Sequence, residues 1–163
     1  MKKLYLLLIA ALALGTLSCR KHSSIASGNY DFMIIGTYYG ECMGKCANFY
    51  QIKGGQLFQD TSVTYMRVAP GMNASEFKFN VVLPASKYAL VQDLPSAVPQ
   101  ELYSYNNKTF GQPDAHDQGA IAVYMSVNNV VYKWVLDPDL ARENDNMAAF
   151  VKRLSQAAQD LWY

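Results

Sequence analysis

Two stretches of this chain carry residue types able to do chemistry. The first is Cys42-Met43-Gly44-Lys45-Cys46, two thiols four residues apart with a glycine between them. The second is Pro113-Asp114-Ala115-His116-Asp117-Gln118-Gly119, where two carboxylates flank an imidazole and could bind a cation or move a proton. No G-x-S-x-G, H-E-x-x-H, P-loop or dinucleotide fingerprint accompanies them, so no nucleophile and base are nominated. Aspartates in a glycine- and proline-bounded stretch more often make turns, and that is the preferred reading of Asp114, His116 and Asp117.

What the two thiols do depends on the compartment, and the start of the chain bears on that. Lys2 and Lys3 precede an uninterrupted apolar run over residues 4–14, the layout of an export signal. Eleven residues at about 1.5 Å each reach only about 17 Å, short of a hydrocarbon core of about 30 Å. The segment Gly15-Thr16-Leu17-Ser18-Cys19 resembles a bacterial lipobox, with Thr16 where the strict pattern has leucine. The resemblance implies that residues 1–18 are removed and that Cys19 is acylated with fatty acid such as palmitate, anchoring the protein to a membrane. Residues 19–29 then read as a short polar tether, and residues 30–163 as a single domain. Arg20 after the anchor favours the outer membrane in a bacterium that has one.

With Cys19 lipidated, Cys42 and Cys46 remain as an even pair in an oxidising compartment, where a structural disulfide is the expected state. In a straight strand they would stand about 13 Å apart, beyond the roughly 7 Å that a bridge spans between Cα atoms. The chain must therefore turn between them, and Gly44 permits it. A zinc site would need His116 with Asp114 or Asp117, since His22 falls in the tether. A redox-active pair is disfavoured because the spacing is not C-x-x-C. The residues imply neither cofactor nor metal.

Charge narrows the partners. Once Lys2 and Lys3 leave the total of 14 basic residues, the 13 acidic ones outnumber the remainder by one. Such a chain lacks the basic surplus that nucleic acid requires. The 12 tyrosines suggest contact surfaces instead. Tyr38, Tyr39 and Tyr50 gather around the cysteine segment and are the candidates for binding an envelope protein or a glycan.

The elements that must position these residues follow from periodicity. Residues 30–39 are apolar on both faces, as in a central strand. Residues 47–53 and 56–61 flank Gly54-Gly55, a hairpin signal. Residues 75–83 alternate with Phe77, Phe79, Val81 and Leu83 on one face. Residues 86–94 and 99–105 have helical spacing, broken by Pro95 and Pro99. A loop runs over 106–119. A second hairpin pairs 120–127 with 130–136 across Asn128-Asn129. Met147, Phe150, Val151, Leu154, Ala158 and Leu161 make one stripe of a closing helix, capped by Asn144 or Asp145. The expected fold is α+β: a mainly antiparallel sheet of about five to six strands with the C-terminal amphipathic helix packed on one face.

The Cys42-Met43-Gly44-Lys45-Cys46 segment, with Phe49-Tyr50, Gly54-Gly55, Leu57-Phe58 and Asp60 after it, resembles an uncharacterised family of small exported bacterial proteins. Those proteins carry a C-x-G-x-C segment, an aromatic strand and a glycine turn; the stretch from Asp117 through Trp134 to the terminal helix is similar to their ends. Relatives carry further cysteines near 111–117, where this chain has Gln112 and Ala115. The resemblance implies no known activity. The function expected is that of a lipid-anchored envelope protein, a non-catalytic binding module; the alternative is a hydrolase or metal-dependent protein using Asp114, His116 and Asp117.

Overall fold

The computed structural model describes residues 29–40, 42–44, 46–62, 73–142 and 145–162. The leader, Cys19, the tether up to residue 28 and the alternative cap Asn144 lie outside the described residues.

Seven strands form one sheet: β1 Phe32–Tyr38, β2 Ala47–Lys53, β3 Gln56–Asp60, β4 Phe79–Val82, β5 Lys108–Phe110, β6 Ala120–Val127 and β7 Val130–Leu136. Their order is β4-β3-β2-β1-β6-β7-β5, and every pairing is antiparallel except β5 with β7. β1 is the central strand, as its two apolar faces require. Both hairpins use a two-residue turn with positive φ, at Gly54-Gly55 (56° and 74°) and Asn128-Asn129 (52° and 64°). That twist matches the strands they join.

Alternation sends Met33 and Ile35 of β1, Tyr50 and Ile52 of β2, Val123 and Met125 of β6 and Trp134 of β7 to one face. There they meet α3, Asn146–Trp162, through Phe150, Val151, Leu154, Ala157 and Leu161. Each of the larger buried side chains, such as Leu154 or Val151, stabilises the fold by about 2 kcal/mol. The Asp145 carboxylate caps α3 by accepting the Ala148 N–H at 2.7 Å. The stripe is turned slightly from the expected one: Ala157 is fully buried and Ala158 only half-buried.

The excursion between β4 and β5 packs on the same face through Val91, Leu94, Val98 and Leu102. Its helices differ from the periodicity reading: α1 covers Ala85–Ala89, α2 covers Leu94–Ala97, and a 3-10 turn covers Gln100–Ser104. Pro95 opens α2 instead of ending a helix, because a first-turn proline forfeits no helical hydrogen bond. Two side chains tie the excursion to α3. Arg153 grips Asp93 through Nε and Nη2 at 2.9 and 2.6 Å, and Lys87 Nζ donates to the Asp160 carbonyl at 2.7 Å.

The sheet has more strands than five to six because β5, three residues long, adds beside β7 in what reads locally as loop. The stretch 75–83 is also not one amphipathic strand. It starts with a 3-10 turn at Ala74–Glu76, and only Phe79–Val82 pairs, at the sheet edge. Phe77 leaves the strand pattern to fill a second apolar cluster with Ile34, Ala47, Phe49, Ala122 and Tyr124 on the face opposite α3. Phe77 and Phe49 have ring centroids 4.6 Å apart. Val81 and Val82 are exposed.

Candidate functional site

At its C-terminal end β1 runs into the cysteine segment. Cys42 and Cys46 are joined in a disulfide with Cα atoms 5.6 Å apart, and Gly44 turns the chain between them with φ of 104°. Cys46 is buried at the start of β2, whereas Met43 at the tip is fully exposed. The Tyr39 N–H donates to the Cys46 carbonyl at 3.0 Å, which continues the β1–β2 pairing past the bridge.

The aspartate–histidine stretch lies beside this segment, and Asp114 joins the two. One Asp114 oxygen accepts the Gly40 N–H at 2.6 Å and the other accepts the Gly119 N–H at 3.1 Å. Asp114 has φ of 63°, a conformation that aspartate tolerates better than most residues. Its carboxylate thus works as a strut between two loops. Among the described residues no three histidine, cysteine, aspartate or glutamate side chains converge to hold a metal ion.

His116 does not meet Asp114 and Asp117 as a cluster. It is exposed and borders a shallow groove of about 260 Å³ with Gln118 and Asp137, a residue that sequence reasoning passed over. Asp137 is buried and accepts N–H groups from Gln112 at 2.8 Å and Asp139 at 2.9 Å, and the Gln118 amide at 3.3 Å. Burial opposes its charge, but these donors and the nearby His116 outweigh it and hold the carboxyl below the usual carboxylate range. An Asp-Pro at a strand end signals a turn; only the fold reveals that the carboxylate organises the loop 25 residues earlier.

The three candidate tyrosines separate. Tyr50 points to the α3 face, is buried, and its hydroxyl donates to the Leu161 carbonyl at 3.4 Å. It therefore belongs to the core and not to a contact surface. Tyr38 is half-buried against the opposite cluster; burial, then the Asp114 carboxylate, push its phenol up. Only Tyr39 is exposed, and it lies against Gly119, where an added Cβ would stand 2.5 Å from the ring.

Tyr39 and Cys42 border a cleft of about 580 Å³ between the ends of β1 and β6 and the last turns of α3. Thr37, Gln118, Ser155 and Gln159 supply its hydroxyls and amides, and among the described residues no acid, lysine, arginine or histidine lines it. Uncharged donors and acceptors beside an aromatic edge suit recognition of a neutral, hydrogen-bonding ligand. Compared with known proteins, the chain matches no protein-family model, no curated protein and no solved structure.

Proposed function

We propose that this chain is a lipid-anchored protein of the bacterial envelope that acts by contact, using the cleft beside the Cys42–Cys46 bridge to hold an uncharged segment of an envelope partner. It would sit with the small exported C-x-G-x-C proteins that its cysteine segment resembles. The observation that carries the reading is the cleft's make-up: neutral hydrogen-bonding side chains and Tyr39, set between a disulfide and the Asp114 strut. Such a frame fixes the wall of a site before a partner arrives, which lowers the ordering cost of binding. Attachment through Cys19 rests on the leader and the lipobox resemblance.

Two linked experiments test it. Labelling cells with a fatty acid should mark the wild type and not Cys19→Ala; persistent labelling of the variant would remove the anchor. Affinity capture from envelope extract should then lose its partner with Tyr39→Ala, by about 2 kcal/mol if the ring is a buried anchor. His116→Ala should capture and fold as the wild type does. Loss of capture on His116→Ala with unchanged melting would move the site to the Asp137 groove.

A further inference from the structure

The cleft at Tyr39 adjoins a smaller recess of about 10 Å³ between α3 and the sheet, and the two share Thr37, Ile121 and Ala158. Register explains where the recess lies. Asn48, Thr37 and Ile121 form one row across β2, β1 and β6, on the face that carries Tyr50, Ile35 and Val123 toward α3. Over this row α3 sets Leu154 and, one turn later, Ala158. An alanine on a stripe of larger side chains leaves helix and sheet unfilled at that point.

Asn48 is the exception in this packing, an amide only 6% exposed beside leucine and isoleucine. Among the described residues every sealed side-chain nitrogen and oxygen has a hydrogen-bond partner, and the Asn48 amide makes no such bond with a described residue. Its polar atoms are therefore not sealed, and the recess is the space they reach. The hydroxyl of Thr37, directly opposite on β1, is likewise unengaged by any described residue. Gln118 differs. Its amide nitrogen donates to the Gln112 carbonyl at 3.1 Å and to Asp137 at 3.3 Å, and its oxygen accepts the His116 N–H at 2.7 Å. It holds its own loop, whereas Asn48 opposes folding until something bonds to it.

We infer that Asn48 is the residue by which the cleft selects its ligand, a peptide segment that inserts a serine side chain into the recess. The inference rests on the cleft being a binding site, as proposed above. Volume limits the entering group to about the size of one water, which excludes rings and branched chains. The walls at Ile121, Leu154 and Ala158 would strip water from a charge and offer no counter-ion, so the group is neutral. The Asn48 amide both donates and accepts, and a hydroxyl can answer both, whereas a methyl would leave the amide unpaired. A sugar can present a hydroxymethyl of the same size, but it carries hydroxyls on most of its other carbons as well. Outside the recess the described lining offers them only Ser155 and Gln159 besides the occupied Gln118, against Ala120, Pro138 and the Tyr39 ring. Small apolar side chains on either side of a serine suit that wall.

The test is an NMR titration of the full-length protein that also follows the side-chain amide signals of Asn48. The probes are a capped alanine pentapeptide with serine at its centre, the same peptide with alanine or aspartate there, and maltohexaose. The serine peptide should bind about tenfold more tightly than the alanine and aspartate peptides and should alone move the Asn48 signals. Asn48→Leu should remove that preference and unfold at the same or a higher urea concentration, because it puts apolar surface in place of an unpaired amide. Ala158→Val should fill the recess and remove the preference with Asn48 still present. Tyr39→Ala should weaken all the peptides alike. Equal binding of the serine and alanine peptides, a preference that survives Asn48→Leu, or a lower urea midpoint in that variant would overturn the inference, and the cleft would still stand if Tyr39→Ala weakens binding. Binding by no peptide would also overturn it, and partner capture indifferent to Tyr39→Ala would remove the cleft with it. Maltohexaose binding more tightly than the serine peptide would overturn it in favour of a sugar hydroxyl.

Discussion

Asp114 and Gly40 are 74 residues apart, yet a carboxylate oxygen of the first accepts the N–H of the second at 2.6 Å. Because the other oxygen holds Gly119, one side chain fixes the cysteine segment against the loop that leads into β6. Asp114→Asn keeps the positive φ but leaves only one oxygen to accept. It should cost about 1 to 2 kcal/mol in urea unfolding and speed hydrogen exchange at Gly40 or Gly119. Unchanged exchange at both amides would show that the strut does not hold the loops.

Gly119 tests the wall of the cleft. Its φ of 75° and the Tyr39 ring leave no room for a Cβ, so Gly119→Ala should destabilise by about 1 to 3 kcal/mol. It should also displace Tyr39 and reduce partner capture beyond the effect on folding. Ala at this position with wild-type melting and capture would contradict the close packing of the ring.

The Cys42–Cys46 bridge closes a loop four residues apart in sequence. Little denatured-state entropy is removed by so short a loop, and replacing both cysteines with serine should cost about 1 to 3 kcal/mol without loss of the fold. Non-reducing alkylation of native protein should modify neither thiol. Modification of both would rule out the bridge.

Three carboxylates set the acid limit of stability. Asp93 is drawn below the ordinary value by the Arg153 guanidinium, and Asp31 by the Asn129 N–H and the Ser126 hydroxyl. Asp137 is lowered despite burial by the donors around it. Each has a folded pKa below its unfolded value of about 3.9, so the unfolded chain binds more protons in acid. The contribution is present above that value and is lost as pH falls through the folded pKa. The urea midpoint should stay level from about pH 7 to 5 and drop below about pH 4, less steeply in Asp93→Asn. A midpoint constant down to about pH 2.5 would contradict these assignments.

Local features were legible because they depend on few residues. An apolar run placed β1, the Gly54-Gly55 signal placed β2 and β3 on either side of it, alternation across Asn128-Asn129 placed β6 and β7, and the stripe from Met147 to Leu161 defined α3. The cysteine spacing, with Gly44, allowed the bridge that the structure contains. The chain's return decided the rest. β5 is too short to show a period and becomes a strand only because the β7 edge stands beside it. Tyr50 is core because β2 pairs to β1 in a register that turns it toward α3. His116 neighbours Asp137 and not a cluster of Asp114 and Asp117, because Asp114 is drawn away to Gly40. Dihedral preference and side-chain period are written residue by residue, whereas strand neighbours and carboxylate partners depend on segments tens of residues apart, which only the packed sheet brings within hydrogen-bond reach.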